Sequence, residues 1–342
     1  MIVKSKEEIE KINKYIDTLI ADEEYIYEST SKTVSSLIKT FKDANDGGKR
    51  VRALNVLLGY KLAGNKEIPN DIYKAAASYE IFQTGILIHD DIIDESELRR
   101  GKPTVHKALG GDQIAVSNAI CLGDFGIFLS QKILSKLDIN PDRIVKALRI
   151  YNKTLMNTII GELLDVNSPY SKHVSEERVI MIAYYKTAWY TIIGPMLLGA
   201  ILGGANDKLI ENIEKFGEHL GVAFQMKDDI LGIFGTEDKV GKSVTSDIAE
   251  KKLTLLYLYV LEEGSLEQLE IFNAYYGKKD VTEKECEIIK GIMEDLKVRD
   301  RVEKIIKDES HDADMLIDKI TDDEENREEL KTLVDYLLNR DK

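Results

Sequence analysis

Residues 81–106 read IFQTGILIHDDIIDESELRRGKPTVH, an apolar run that passes into three aspartates and leaves through paired arginines. On a helix, positions four apart share a face, so Asp90 and Asp94 point the same way one turn apart. Two stacked carboxylates repel, and helix geometry alone gives no reason for them. A hard dication supplies one, since Mg2+ commonly takes one or two carboxylates together with substrate phosphate oxygens. Arg99 and Arg100 follow closely, and the guanidinium fork matches phosphate better than the lysine ammonium does. Carboxylates, metal and arginines together describe a diphosphate site. The plainer reading, a solvated acidic helix end, has two points against it. The macrodipole disfavours anions at a helix C-terminus. The residues before Asp90 are also almost wholly apolar or small.

A second acidic pair, Asp228 and Asp229 in AFQMKDDILGIFG, sits far downstream in a similar setting. Between and around the two pairs nearly every segment shows the helical period, whereas short period-2 strands with hairpin signals are missing. Ile9, Ile12, Ile16, Leu19 and Ile20 form one apolar stripe of a first helical region over residues 5–41. The turn Asn45–Gly48 precedes Lys49, Arg50 and Arg52, and a helix start of this kind can offer backbone N–H groups to an anion. Further helices are predicted from Pro69 to Asp94, over 112–137, from Asn140 to Asp165, from Ser175 to about Gly203, and from near Asp207. Lys186 lies in AYYKTAWYT, where every neighbour favours burial, so its ammonium either reaches the surface or meets an anion. From residue 265 onward acidic and basic groups alternate around isolated Ile and Leu, the pattern of peripheral helices.

The 342 residues, 43% hydrophobic and 32% charged, suit a soluble globular protein with a substantial core. Five prolines and no Gly/Ser-rich linker point to a single domain over 1–342, with 265–342 as its peripheral helices. A formal net charge of −14 argues against nucleic acid and against anionic lipid as partners. Cys121 and Cys286 form no disulfide framework or metal motif. No run of eighteen apolar residues occurs and the N-terminal stretch has no secretory pattern, so no integral membrane segment is expected and the location expected is cytoplasmic. The fold class expected is all-α, a large helical bundle around a central cavity.

Six blocks in order carry a resemblance to the trans-polyprenyl diphosphate synthases over roughly residues 40–260. They are GGKRVR at 47–52, DDIID at 90–94 with RRG at 99–101, GELLD at 161–165, KT at 186–187, FQMKDD at 224–229 and GKSVTSDIAEKKLT at 241–254. The resemblance implies the isoprenoid synthase-like fold, a homodimer, and condensation of an allylic diphosphate with isopentenyl diphosphate. It implies that Asp90 and Asp94 hold two Mg2+ ions and Asp228 a third, with Asp91, Asp229 and Asp165 behind them. Arg99, Lys186, Lys242 and the more distant Lys252 would grip the allylic diphosphate. Lys49, Arg52, Gln83 and Arg100 would hold isopentenyl diphosphate, while Thr187 and Gln225 would turn oxygen dipoles toward the allylic carbons.

Three positions depart from the family pattern: Gly232 stands where a third aspartate is frequent, Glu162 where glutamine is usual, and Lys251 where glycine is common. Gly232→Asp is expected to change the rate little. Short-chain members resemble one another in an aromatic four or five positions before the first aspartate. Here those positions are Ile86 and Gly85, so Phe82 becomes the first bulky side chain on that face. A product longer than fifteen carbons is expected, of twenty first and of twenty-five next, with Gly85→Phe expected to shorten it and Phe82→Ala to lengthen it. Two other classes compete. A class I terpene cyclase would pair DDxxD with an Asn-Ser/Thr-Glu motif and has no use for GGKRVR. A non-catalytic regulatory subunit would be expected to lose the first acidic cluster or the paired arginine, and both are intact.

Overall fold

Apolar residues spaced three and four apart bury one stripe of a segment only if that segment coils as a helix. The computed structural model describes residues 6–170, 175–235 and 246–339, and among these it is all-α apart from one two-stranded hairpin. In chain order the first helices are α1 (Lys6–Glu28), α2 (Lys32–Ala44), α3 (Val51–Leu62) and α4 (Asn70–Ile93). The strands β1 (Leu98–Arg99) and β2 (Lys102–Pro103) follow, then α5 (Val105–Ala108), α6 (Gln113–Ser135) and α7 (Pro141–Val166). Next, α8 (Glu176–Ile182) runs into a π-helix (Ala183–Ile193), before α9 (Gly194–Gly203) and α10 (Asp207–Phe234). The remaining helices are α11 (Ser246–Ala249), α12 (Leu255–Glu263), α13 (Leu266–Tyr275), α14 (Glu283–Asp295), α15 (Val298–Ile320) and α16 (Glu324–Leu338). The chain divides into two compact units, Met1–Asn152 with Gly194–Ile210, and Lys153–Ile193 with Glu211–Lys342.

In the first unit α4 is the core element, packed on α1, α3 and α6. Every residue from Ala75 to Gly85 is buried, so this helix has no solvent face along its middle. Beside it α3 and α9 cross at backbone contact. A Cβ on Gly59 would lie 2.0 Å from the Met196 carbonyl oxygen, and one on Gly199 would lie 1.9 Å from that of Val56. Only glycine allows that approach from both sides.

The end of α4 is fixed by its own backbone. Glu95 adopts φ 53, the left-handed region. Its N–H donates to the Ile92 carbonyl at 3.3 Å, and the Ser96 N–H donates to that of Asp91 at 2.9 Å. These two bonds make a Schellman motif, which satisfies the last carbonyls and leaves Asp94 as the C-cap. The hairpin that follows was not legible as strands. It turns on Arg100 at φ 54 and Gly101 at φ 73, the paired positive φ of a type I′ turn.

Within the described residues α6 alone is long and apolar enough to cross a membrane by length and composition, with a mean hydropathy of 1.3 over its most apolar window. Of that window 39% is buried inside the unit. In the second unit the π-helix has Thr187, Trp189 and Ile192 among its buried residues. The α14 helix opens on a capping box between Thr282 and Glu285, and α13 on one between Ser265 and Gln268.

Candidate active site

The last turn of α4 carries a carboxylate cluster already engaged by a cation. Asp91 is buried and accepts from Arg99 Nε at 2.7 Å, while Asp90 accepts from the same guanidinium at 2.8 Å. Burial alone would lower the Arg99 pKa, but the hydrogen bonds and charges of Asp91 and Asp90 more than offset it, so the guanidinium is held protonated between them. Arg99 reaches back from β1, so the hairpin's position decides where its charge falls. Asp90 and Asp94 keep partial exposure, and Asp91 does not. The donors at this helix end are all carboxylate oxygens, the set that hard dications select. Among the described residues no three His, Cys, Asp or Glu side chains form a ready-made metal cage. A two-carboxylate site suits Mg2+ under that condition, since the ion keeps most of its positions for water and phosphate oxygens.

A second cluster in the same unit has the opposite sign. Arg50 takes φ 54 as the N-cap of α3, and its guanidinium is buried. It donates to Asn13 Oδ1 at 2.7 Å and to the Asn45 carbonyl at 2.7 Å, and it lies 3.4 Å from Glu80. Glu80, only 3% exposed, also accepts the Ala53 N–H at 3.0 Å. That amide belongs to the first turn of α3, so a protein carboxylate already fills part of the helix-start site that the sequence offers to an external anion. The Gln83 amide fits its neighbours with its nitrogen 3.3 Å from Glu80 and its oxygen 2.8 Å from Arg52. Arg100, at the hairpin tip, donates to the Gly47 carbonyl at 3.3 Å, and its guanidinium lies over Gly48. Burial and the charges of Arg50, Arg52 and Arg99 lower its pKa, with Glu80 opposing. Arg52, Gln83 and Arg100 are therefore brought together, and Lys49 is exposed near Arg52 in the chain. Glu80 and Arg50 were missed as site supports. The available signal was a carboxylate in an apolar helix, three residues before Gln83.

In the second unit a cleft is lined by Asp165, Lys186, Thr187, Gln225, Asp229 and Lys252 with apolar walls that include Val179 and Ile182. Thr187 donates to Gln225 Oε1, and the Gln225 amide donates to Asp229 at 2.8 Å. Burial pushes the Asp229 carboxyl up to about 6, while Lys252 at 3.6 Å pulls it down. Lys252 is itself held protonated by Asp247 and Asp229. Asp228 is half-buried next to the buried Asp229, which suits the first for an outward ligand and the second for support. Lys186 meets anions, as one of its two readings requires: Asp165 at 2.7 Å and Glu162 at 2.8 Å. Lys242 lies outside the described residues.

Two sequence expectations meet packing they did not include. A Cβ on Gly85 would lie 2.6 Å from the Gly123 carbonyl oxygen, so position 85 faces α6 and Gly85→Phe acts on helix packing. A Cβ on Gly232 would lie 1.9 Å from Asp247 Oδ2. The Asp247 carboxylate occupies the space where a side chain at 232 would begin, so Gly232→Asp requires Asp247 to shift, a packing effect separate from the rate. Lys251 has φ 55, the conformation glycine adopts freely, which explains why glycine is common there. Phe82 is fully buried, edge-on to Tyr79 at 5.6 Å and near Tyr151 at 5.5 Å, whereas Ile86 is half-buried.

An all-α chain with an acidic helix end, a guanidinium–glutamine cluster and a Lys/Thr/Gln cleft has the parts of an enzyme acting on prenyl diphosphates. The polyprenyl synthetase family model matches residues 34–295, and the chain belongs to that family, whose members are prenyltransferases. It is 33% identical to the geranylgeranyl diphosphate synthase of Methanosarcina mazei over 241 residues, 70% of each chain. It is also 33% identical to the heptaprenyl diphosphate synthase component 2 of Bacillus subtilis, over 75% of this chain and 68% of that one. A solved geranylgeranyl pyrophosphate synthase from Corynebacterium glutamicum, complexed with isoprenyl diphosphate and magnesium, superposes with a TM-score of 0.91. That match covers 97% of this chain and 98% of the other at 28% identity. Family structures of this kind support use of a divalent metal.

Proposed function

We propose that the protein condenses an allylic diphosphate with isopentenyl diphosphate, head to tail, to give geranylgeranyl diphosphate. The observation that carries this reading lies within the first unit. One anion site there is carboxylate-rich and needs a metal to bind diphosphate, and a second is guanidinium-rich and needs none. Two sites of different chemistry serve two diphosphate substrates, whereas a cyclase takes one. Bound Mg2+, three ions on this reading, supplies the positive charge that makes diphosphate a leaving group. Asp90 and Asp94 would hold two of them and Asp228 the third, with Asp91, Asp229 and Asp165 as supports. Arg99, Lys186, Lys242 and Lys252 add fixed charge at the departing oxygens. Lys49, Arg52, Gln83 and Arg100 keep isopentenyl diphosphate in one orientation, so that its alkene meets the allylic cation before water does. Loss of a proton to the departing diphosphate then completes the product.

Both units present exposed apolar stripes. On α6 these are Ile114, Cys121 and Phe128, seven residues apart, with Ile120 beside them. On the second half of α7 they are Met156, Ile159, Ile160, Leu163 and Val166. Exposed apolar stripes of this kind mark interfaces, and we propose that a second copy of the chain covers them in a cytoplasmic homodimer. Residues 1–342 would act as one synthase domain, with 265–342 peripheral to it. The family members above carry names for both a twenty-carbon and a longer product, and buried Phe82 favours the shorter one as the tunnel floor. Incubation of the purified protein with labelled isopentenyl diphosphate, an allylic primer and Mg2+ should give a twenty-carbon product on chromatography. Absence of incorporation would support the regulatory-subunit reading, and product from the allylic diphosphate alone would support a cyclase.

A further inference from the structure

We infer that Glu162 is a positioning residue that holds Lys186 back from its substrate and thereby sets how tightly the allylic diphosphate binds. The inference rests on the assignment of Lys186 as an allylic diphosphate ligand. Its origin is a close backbone approach. A Cβ on Gly161 would lie 2.1 Å from the Lys186 nitrogen and 2.5 Å from its Cα, so α7 and the π-helix touch main chain to main chain at this point. Glycine at 161 permits the contact, and the next residue in the chain is then delivered to the Lys186 side chain. Glu162 Oε2 lies 2.8 Å from the ammonium, and Asp165, one turn further on, lies 2.7 Å away.

The two carboxylates are not equivalent. Asp165 lines the cleft along with Lys186, Thr187, Gln225 and Asp229, whereas Glu162 is absent from that lining. The three side chains are 25%, 22% and 16% exposed in the order Lys186, Glu162, Asp165, so the interactions are only partly screened by water. One cation between two anions leaves the group with a net charge of −1. An incoming diphosphate must either displace Glu162 or share the ammonium with two carboxylates, and either route weakens it as a ligand. A glutamine at 162 keeps the size and one acceptor but removes the competing charge. The diphosphate cleaved from the allylic substrate leaves this same site as inorganic diphosphate, so Glu162 also favours its departure by recapturing Lys186.

The test is Glu162→Gln, assayed for both substrates and by calorimetry with the thiolo analogue of an allylic diphosphate in the presence of Mg2+. Affinity for the analogue should tighten roughly fivefold, the scale of one partly exposed ion pair. KM for the allylic substrate and the inhibition constant of inorganic diphosphate should fall in step, while KM for isopentenyl diphosphate stays put. A merely structural role for Glu162 predicts weaker binding or none of these changes. Glu162→Ala, which keeps the Lys186–Asp165 contact, should move in the same direction. Unchanged or weaker analogue binding in both variants overturns the inference, provided that Lys186→Ala weakens it. If Lys186→Ala leaves analogue binding intact, the assignment of Lys186 as a diphosphate ligand falls instead, and the inference with it.

Discussion

Asp90 and Arg99 show how much of the site lives in single side chains. Arg99 bridges Asp90 and Asp91, so the acidic turn is neutralised in part before any metal arrives. On the proposed function, Asp90→Ala or Asp94→Ala should lower turnover by at least about 10³-fold, the scale for removing a main electrostatic stabiliser. Circular dichroism should show the helical content unchanged, because the Schellman bonds at this helix end are main-chain. Near-normal rates in either variant would remove these carboxylates from the metal assignment. Outside the cleft lining, His219 gives a stability effect with a definite sign. Its hydrogen bond to Glu309 at 2.8 Å raises its pKa above the ordinary 6.5, despite partial burial. Stability from this pair is fully present below about pH 6.5 and is lost as pH rises through the elevated folded value. Calorimetry should therefore show Tm falling with pH above that point, and a flatter profile in His219→Gln.

The helices themselves were legible because their period is long and their apolar stripes are regular. The acidic end of α4 was readable to its last residue, because spacing alone places Asp90 and Asp94 on one face. What escaped were features fixed by backbone contact rather than by composition. The hairpin at Leu98–Pro103 has a two-residue turn of Arg-Gly, which lacks the Asn-Gly signal of its turn type. The π-helix at Ala183–Ile193 differs from an α-helix by registry that no hydrophobic pattern records. The environment of Gly232 was equally invisible, since it depends on Asp247 fifteen residues later. Gly232→Asp should cost about 1–3 kcal/mol in denaturant unfolding, the range for forcing atoms into packed space. Gly232→Ala should cost a similar amount, because the collision begins at Cβ. A third aspartate that left stability unchanged would show that Asp247 yields freely.

At the scale of the whole molecule the sequence predicted one all-α enzyme of the right family, and the ordered blocks were sufficient for that because each carries charge in an apolar setting. Its reading of surfaces was weaker. Composition showed no unbroken apolar span, yet α6 passes the length and hydropathy test and leaves Phe128 68% exposed. Whether such a helix faces lipid or protein is decided by what covers it, and a single sequence holds no record of a partner. The homodimer proposal makes a direct prediction. Phe128→Asp places a charge in a buried apolar seam, so light scattering should report a monomer, or a dimer with Kd raised by orders of magnitude. A variant that stays dimeric at micromolar concentration would exclude α6 as the seam.

The π-helix has a consequence for how this enzyme can be altered. Each i→i+5 turn holds one residue more than an α turn, so the segment behaves as a helix carrying an inserted residue that was never expelled. Removing one residue between Ala183 and Lys186 would let the segment relax into ordinary α-helix. The shortened protein should melt at a higher temperature and lose its turnover, because Lys186 and Thr187 would rotate away from Asp165 and Gln225. Attempts to make this chain more heat-resistant by smoothing its helices would therefore select inactive forms first.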